Sequence, residues 1–166
     1  MLGAGALLDI GIYPLTCAAM ILDRQMQATP PKRTEEPEVV SSMSFSNGVD
    51  ELTSVILNYR ALDAQAICTG SYRFRSASEF CHIEGSDGSV SIGGVAGSKP
   101  QFFMIRKKGE HEERRESHTK GWGFWYEQDA IGEDLLAKRK ESSIIPLQEI
   151  MRIMVLLDKI RAANGL

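Results

Sequence analysis

Apolar and polar positions alternate with two different periods along this chain, and the change of period divides it. Over residues 7–22, LLDIGIYPLTCAAMIL, the residues Leu8, Ile12, Leu15, Ala19 and Leu22 recur at helical spacing. Asp9 stands where an N-cap carboxylate can accept the free N–H groups of a first turn. Pro14 falls in the early turns, where its missing donor costs least. The stretch 28–38, ATPPKRTEEPE, reads as a Pro-rich charged loop. From 39 to 106 the period becomes that of strands. VVSSMSFS and VDELTSVILNYR flank Asn47-Gly48, the pair that tolerates the positive φ of a tight hairpin. AQAICTGSYRF, FCHIEG, SVSIGG and QFFMIRKK continue as strands, with turns predicted at Ser86-Asp87-Gly88 and at Gly93-Gly94. Helical spacing returns at 125–140, with Ile131, Leu135 and Leu136 on one face, acids early and bases late. A last helix opens at Pro146, ends at Asn164-Gly165 and carries an apolar stripe of Leu147, Ile150, Met151, Met154, Leu157 and Ile160. The order predicts a single α+β domain over 1–166: an open, mainly antiparallel sheet with helices packed on one face.

Composition narrows the class. A chain of 166 residues, 43% apolar and 25% charged, suits one globular domain. A formal charge of -3 gives no attraction to nucleic acid or anionic membrane. No apolar run reaches the length of a membrane span, and the first residues lack the basic region of a signal peptide. Cys17, Cys68 and Cys81 are odd in number and widely spaced, which predicts reduced, mostly buried thiols and a cytoplasmic protein.

Candidate chemistry is sparse. Gly3 and Gly5 open like a dinucleotide-binding turn, but Leu8 holds the place of the third glycine and no strand-forming run precedes them. Asp23 lies near the offset of the ribose-binding acid, yet it follows a helix rather than a second strand. In HEERRESH, Arg115 occupies the position where a zincin helix needs its second histidine, so His111 and His118 predict no metal site. The bases Arg106, Lys107, Lys108, Arg114 and Arg115 are interleaved with Glu110, Glu112, Glu113 and Glu116, the pattern of a solvated face. Cys81 and His82 alternate along a strand and point apart. Trp122 and Phe124, in the aromatic run GWGFWYEQDA, either line a ligand pocket or anchor the helix that follows. Asp9 and Tyr13 are four apart on one helical face. Either they cap and pack, or the phenol exchanges a proton with a ligand.

LGAGALLDIGIYPLTCAAMIL resembles a segment of the Gfo/Idh/MocA oxidoreductases, most closely the branch of dimeric dihydrodiol dehydrogenase and NADP-dependent D-xylose dehydrogenase. NGVDELTSVILNY, IEGSDGSVSIGG and the C-terminal run from Tyr126 agree with it. The resemblance implies the C-terminal domain of such an enzyme, with its N-terminal Rossmann domain absent here. It implies an NADP (or NAD) dehydrogenase acting on a CH–OH group of a sugar or cyclic diol. Tyr13 matches the family's proton-transfer tyrosine and Asp9 the acid of its motif, so both are implied as catalytic and substrate-binding. Ala4 departs from a third glycine. The family's catalytic lysine, in a Glu-Lys-Pro motif of the cofactor domain, has no counterpart; Ser98-Lys99-Pro100 does not match it. The chain alone is therefore expected to bind no cofactor and to be inactive, while the family implies a homodimer packed through sheet faces. The other reading is a non-catalytic dimerisation or regulatory module.

Overall fold

In a computed structural model of the protein, residues 5–22, 24–25, 32–33, 36–142 and 144–166 are described. Gly3, Ala4, Asp23 and most of the 28–38 loop lie outside them. The chain forms two compact units: residues 1–75 with 147–166, and residues 76–146.

The first unit holds a three-stranded antiparallel sheet in the order β3 (Glu38–Ser46), β4 (Val49–Tyr59), β5 (Ala64–Ser71). Two short strands, β1 (Arg24–Gln25) and β2 (Lys32–Arg33), pair separately. Asn47 and Gly48 both take positive φ, so the two-residue hairpin forms as the sequence predicts. One face of the sheet is covered by α1 (Ile12–Leu22), entered through a π-helical turn at Leu7–Gly11, and by α3 (Leu147–Ala163). Leu7, Leu15, Ala18 and Ala19 meet Val55, Leu57, Tyr59 and Cys68 of the sheet and Ile153, Leu156, Leu157 and Ile160 of α3.

Two expectations about this unit change. The stripe that α3 buries is Ile153, Leu156, Leu157 and Ile160, whereas Leu147, Ile150, Met151 and Met154 are exposed. The helix carries enough apolar residues for two overlapping stripes, and the sheet selects the one at i, i+3, i+4, i+7. Its end forms as predicted: Gly165 takes positive φ, and the Leu166 and Gly165 N–H groups return to Arg161 and Ala162 carbonyls. The other change concerns Asp9, which lies inside the first turn rather than capping it.

The second unit holds the antiparallel sheet β6 (Glu79–Gly85), β7 (Gly88–Ala96), β8 (Lys99–Lys107), β9 (Glu113–Glu116), and α2 (Trp125–Leu136). Counting the β1–β2 pair, the described strands are thus divided among three sheets. Gly93 and Gly94 make a bulge within β7 rather than the predicted turn, which falls at Gly97-Ser98. Gly93 is required there: a Cβ would lie 2.2 Å from the Phe102 ring on the paired strand. The helix α2 stops at Leu136, not at 140. Lys138 takes positive φ, and the Arg139 and Lys138 N–H groups bond back to Asp134 and Leu135 carbonyls, closing the helix before its bases. None of its residues is buried, and Ile131, Leu135 and Leu136 face solvent.

Candidate functional site

The site is built at the N-terminal end of the first helix. The Leu7 N–H donates to Asp50 Oδ2 at 2.6 Å, and the Thr53 hydroxyl donates to the same oxygen at 2.9 Å. Asp50, buried at the start of β4, therefore satisfies a free amide of the helix that the sequence assigned to Asp9. Gly5 is pressed against it; a Cβ on Gly5 would stand 1.7 Å from Asp50 Oδ1. One turn later, Gly11 lies on Gly70 of β5, where a Cβ on Gly70 would be 2.9 Å from the Gly11 Cα. Backbone thus packs on backbone, and the π-helical turn rides directly on the sheet. Such turns recur at functional sites.

This contact places Tyr72, two residues beyond Gly70, next to Asp9. The Tyr72 hydroxyl donates to Asp9 Oδ2 at 2.9 Å, with the Gly5 carbonyl a weaker alternative acceptor at 3.4 Å. The hydrogen bond to Asp9 holds the Tyr72 phenol above its ordinary pKa, helped by desolvation and by the charges of Asp9 and Asp50. Tyr13, at the start of α1, is 62% exposed, so its ring is not a core element. Asp9 is also exposed. Trp122 and Phe124 belong to the second unit, where both rings are more than half exposed and Lys99 Nζ lies 5.2 Å from the Trp122 centroid. Among the described residues no cluster of His, Cys, Asp or Glu could hold a metal, and no helix is long and apolar enough to cross a membrane.

Asp50 and Tyr72 are the residues that sequence reading missed. Val55, Leu57 and Tyr59 face the helices, and straight alternation back from them would point Asp50 outward. A bulge shifts the register between Ser44/Phe45 and Leu52/Asp50, leaving Glu51 as the extra residue, and Asp50 turns inward. Tyr72 was legible in principle, because it shares the parity of Cys68 and Gly70, both buried.

At the helix start the Leu7 amide is held by the Asp50 carboxylate, so that donor is not open to an anion.

No family model matches the chain. It is 25% identical over 169 residues to a trans-1,2-dihydrobenzene-1,2-diol dehydrogenase of Oryctolagus cuniculus, covering 97% of this chain and 47% of that protein. A Xenopus laevis protein of the same name is 29% identical over 164 residues, covering 95% and 46%. A D-xylose 1-dehydrogenase (NADP(+)) of Hypocrea jecorina is 26% identical over 180 residues, covering 99% and 44%. This chain resembles the C-terminal half of these dehydrogenases. It spans about half the length of the curated relatives it matches. Among solved structures, an aldose-aldose oxidoreductase from Caulobacter crescentus aligns with a TM-score of 0.73 at 21% identity, covering 96% of this chain and 45% of that one. A putative oxidoreductase from Bacillus subtilis aligns at 0.64 and 13%, covering 97% and 51%. The α+β fold and the Gfo/Idh/MocA resemblance read from the sequence both hold.

Proposed function

We propose that this chain is the substrate-binding and assembly half of a cytoplasmic, NADP(H)-dependent oxidoreductase acting on a CH–OH group of a sugar or cyclic diol. The observation that carries this reading is the exposed Tyr13 beside an acid-bearing first turn, on a helix whose relatives are dihydrodiol and xylose dehydrogenases. Tyr13 is the residue that exchanges a proton with the substrate hydroxyl, and Asp9 accepts a hydrogen bond from a hydroxyl of the same ligand. In this reading the cofactor belongs to the part of the relatives that this chain does not match. The reading therefore gives this chain no cofactor site and no activity by itself.

A homodimer is part of the same proposal. On the sheet face away from the helices, Val40, Ile56 and Ile67 form one row across three strands, and Val40 and Ile67 are 64% and 72% exposed. On one side the row Ser42, Ser54 and Thr69 is small and uncharged, so a second copy can lie close there, while Glu38, Asn58 and Gln65 form the polar row on the other side. The apolar row also favours the second reading, a non-catalytic dimerisation module.

The test joins this chain to the nicotinamide-binding domain of a xylose dehydrogenase relative. The product should reduce NADP with D-xylose or a trans-dihydrodiol. A folded, dimeric and inactive product would favour the dimerisation module instead.

A further inference from the structure

We infer that Tyr72 is a positioning residue that fixes the Asp9 carboxylate as a hydrogen-bond acceptor for a hydroxyl of the bound ligand. This rests on the substrate class proposed above and adds a residue to it. The geometry carries it in three steps. First, Asp9 projects from a π-helical turn that is locked to the sheet by the Gly11–Gly70 contact and by Asp50 on the Leu7 amide. Second, the Tyr72 hydroxyl occupies Asp9 Oδ2 at 2.9 Å. An exposed aspartate would otherwise rotate among rotamers; a donor on one oxygen holds its plane and leaves Oδ1 with open lone pairs. Third, Tyr72 is a donor only while protonated, and Asp9 itself stabilises that protonated form. Tyr72 is thus the phenol of the site that keeps its proton, whereas Tyr13 is the phenol proposed to exchange one. An oxygen acceptor fixed in place, beside an exposed phenol, suits a ligand with adjacent hydroxyls rather than an acid or a phosphate, which Asp9 and Asp50 repel.

Two readouts on the 166-residue chain, labelled with ¹³C at the tyrosine rings and ¹⁵N at the amides, test the inference. With pH as the variable, the Tyr72 ring should titrate above the ordinary phenol value, and Asp9→Asn should bring its midpoint down. With D-xylose as the probe, wild-type amides over Leu7–Gly11 should shift saturably, and Tyr72→Phe should weaken that response about fivefold, the scale of one lost hydrogen bond. The Tyr72→Phe change removes only an exposed hydroxyl, and a dispersed amide spectrum confirms that the fold is kept. A Tyr72 titration indifferent to Asp9→Asn overturns the inference. A sugar response equal in wild type and Tyr72→Phe overturns it while leaving the proposed function standing. No sugar response in the wild type, with the Tyr72–Asp9 coupling intact, overturns the ligand role and the proposed substrate class together.

Discussion

The two units handle apolar surface in opposite ways. In the first, one face each of α1, α3 and β4 packs into a core in which Leu157 and Leu57 fall to 0% exposure. In the second, α2 buries none, β9 is exposed throughout, and Leu136 is 87% exposed. Both units carry apolar residues at helical spacing, so spacing alone does not produce a core. What separates them is a glycine-lined backbone contact and a buried carboxylate that seat one helix on its sheet. The candidate chemistry of the first unit sits on that seated helix, where a rigid scaffold can hold Asp9 and Tyr13 at a ligand.

The largest expected effect breaks the better-packed unit. Leu157→Ala should cost about 2–5 kcal/mol in denaturant unfolding, the range for a fully buried leucine. Next comes the seat itself. Asp50→Ala strands the Leu7 amide and the Thr53 hydroxyl, and should cost about 1–3 kcal/mol. If Asp50→Ala were neutral, the seated helix would not depend on its carboxylate.

Stability against pH gives smaller effects with opposite signs. The hydrogen bond from Arg60 holds the Glu38 carboxyl below its usual range, and hydrogen bonds from Ser46 and then Arg73 do the same for Glu51. Depressed carboxyls contribute above the unfolded value, about 4.3 for Glu, and that contribution is lost as pH falls through the lower folded values. Tyr72 is raised, so its contribution is complete below the unfolded value of about 10 and is lost as pH rises through the higher folded one. All three groups are at the surface, so both limbs should be shallow. Asp9→Asn should shrink the alkaline limb, since desolvation and the Asp50 charge remain, and leave the acid one. Smallest of all, Leu135→Ala in α2 should change stability by no more than about 0.5 kcal/mol. A cost equal to that of Leu157→Ala would show α2 packed in solution.

Much of this was legible from sequence where a local rule decides the structure. Asn47-Gly48 forced the hairpin, and Asn164-Gly165 ended α3 as the capping rules require. The misses occur where a partner distant in sequence decides. Asp9 looked like the cap because the real one, Asp50, is brought inward by a bulge 41 residues later. The Gly93-Gly94 pair looked like a turn because the Phe102 ring that needs its space lies on another strand. In α3 two stripes were equally periodic, and only the sheet could choose between them. The resemblance located Asp9 and Tyr13, but only the fold brought Tyr72 to Asp9.

The proposed role of Tyr13 is that of the proton-transfer group of a ligand site at the seated helix. It is tested most directly in the protein formed by joining this chain to a matching nicotinamide-binding domain, by measuring kcat for wild type and Tyr13→Phe. That role predicts a fall of about 10²-fold or more in kcat, the scale for removing a general acid–base group. Unfolding stability should be nearly unchanged, since the ring is 62% exposed. An active protein whose kcat survives Tyr13→Phe would contradict it.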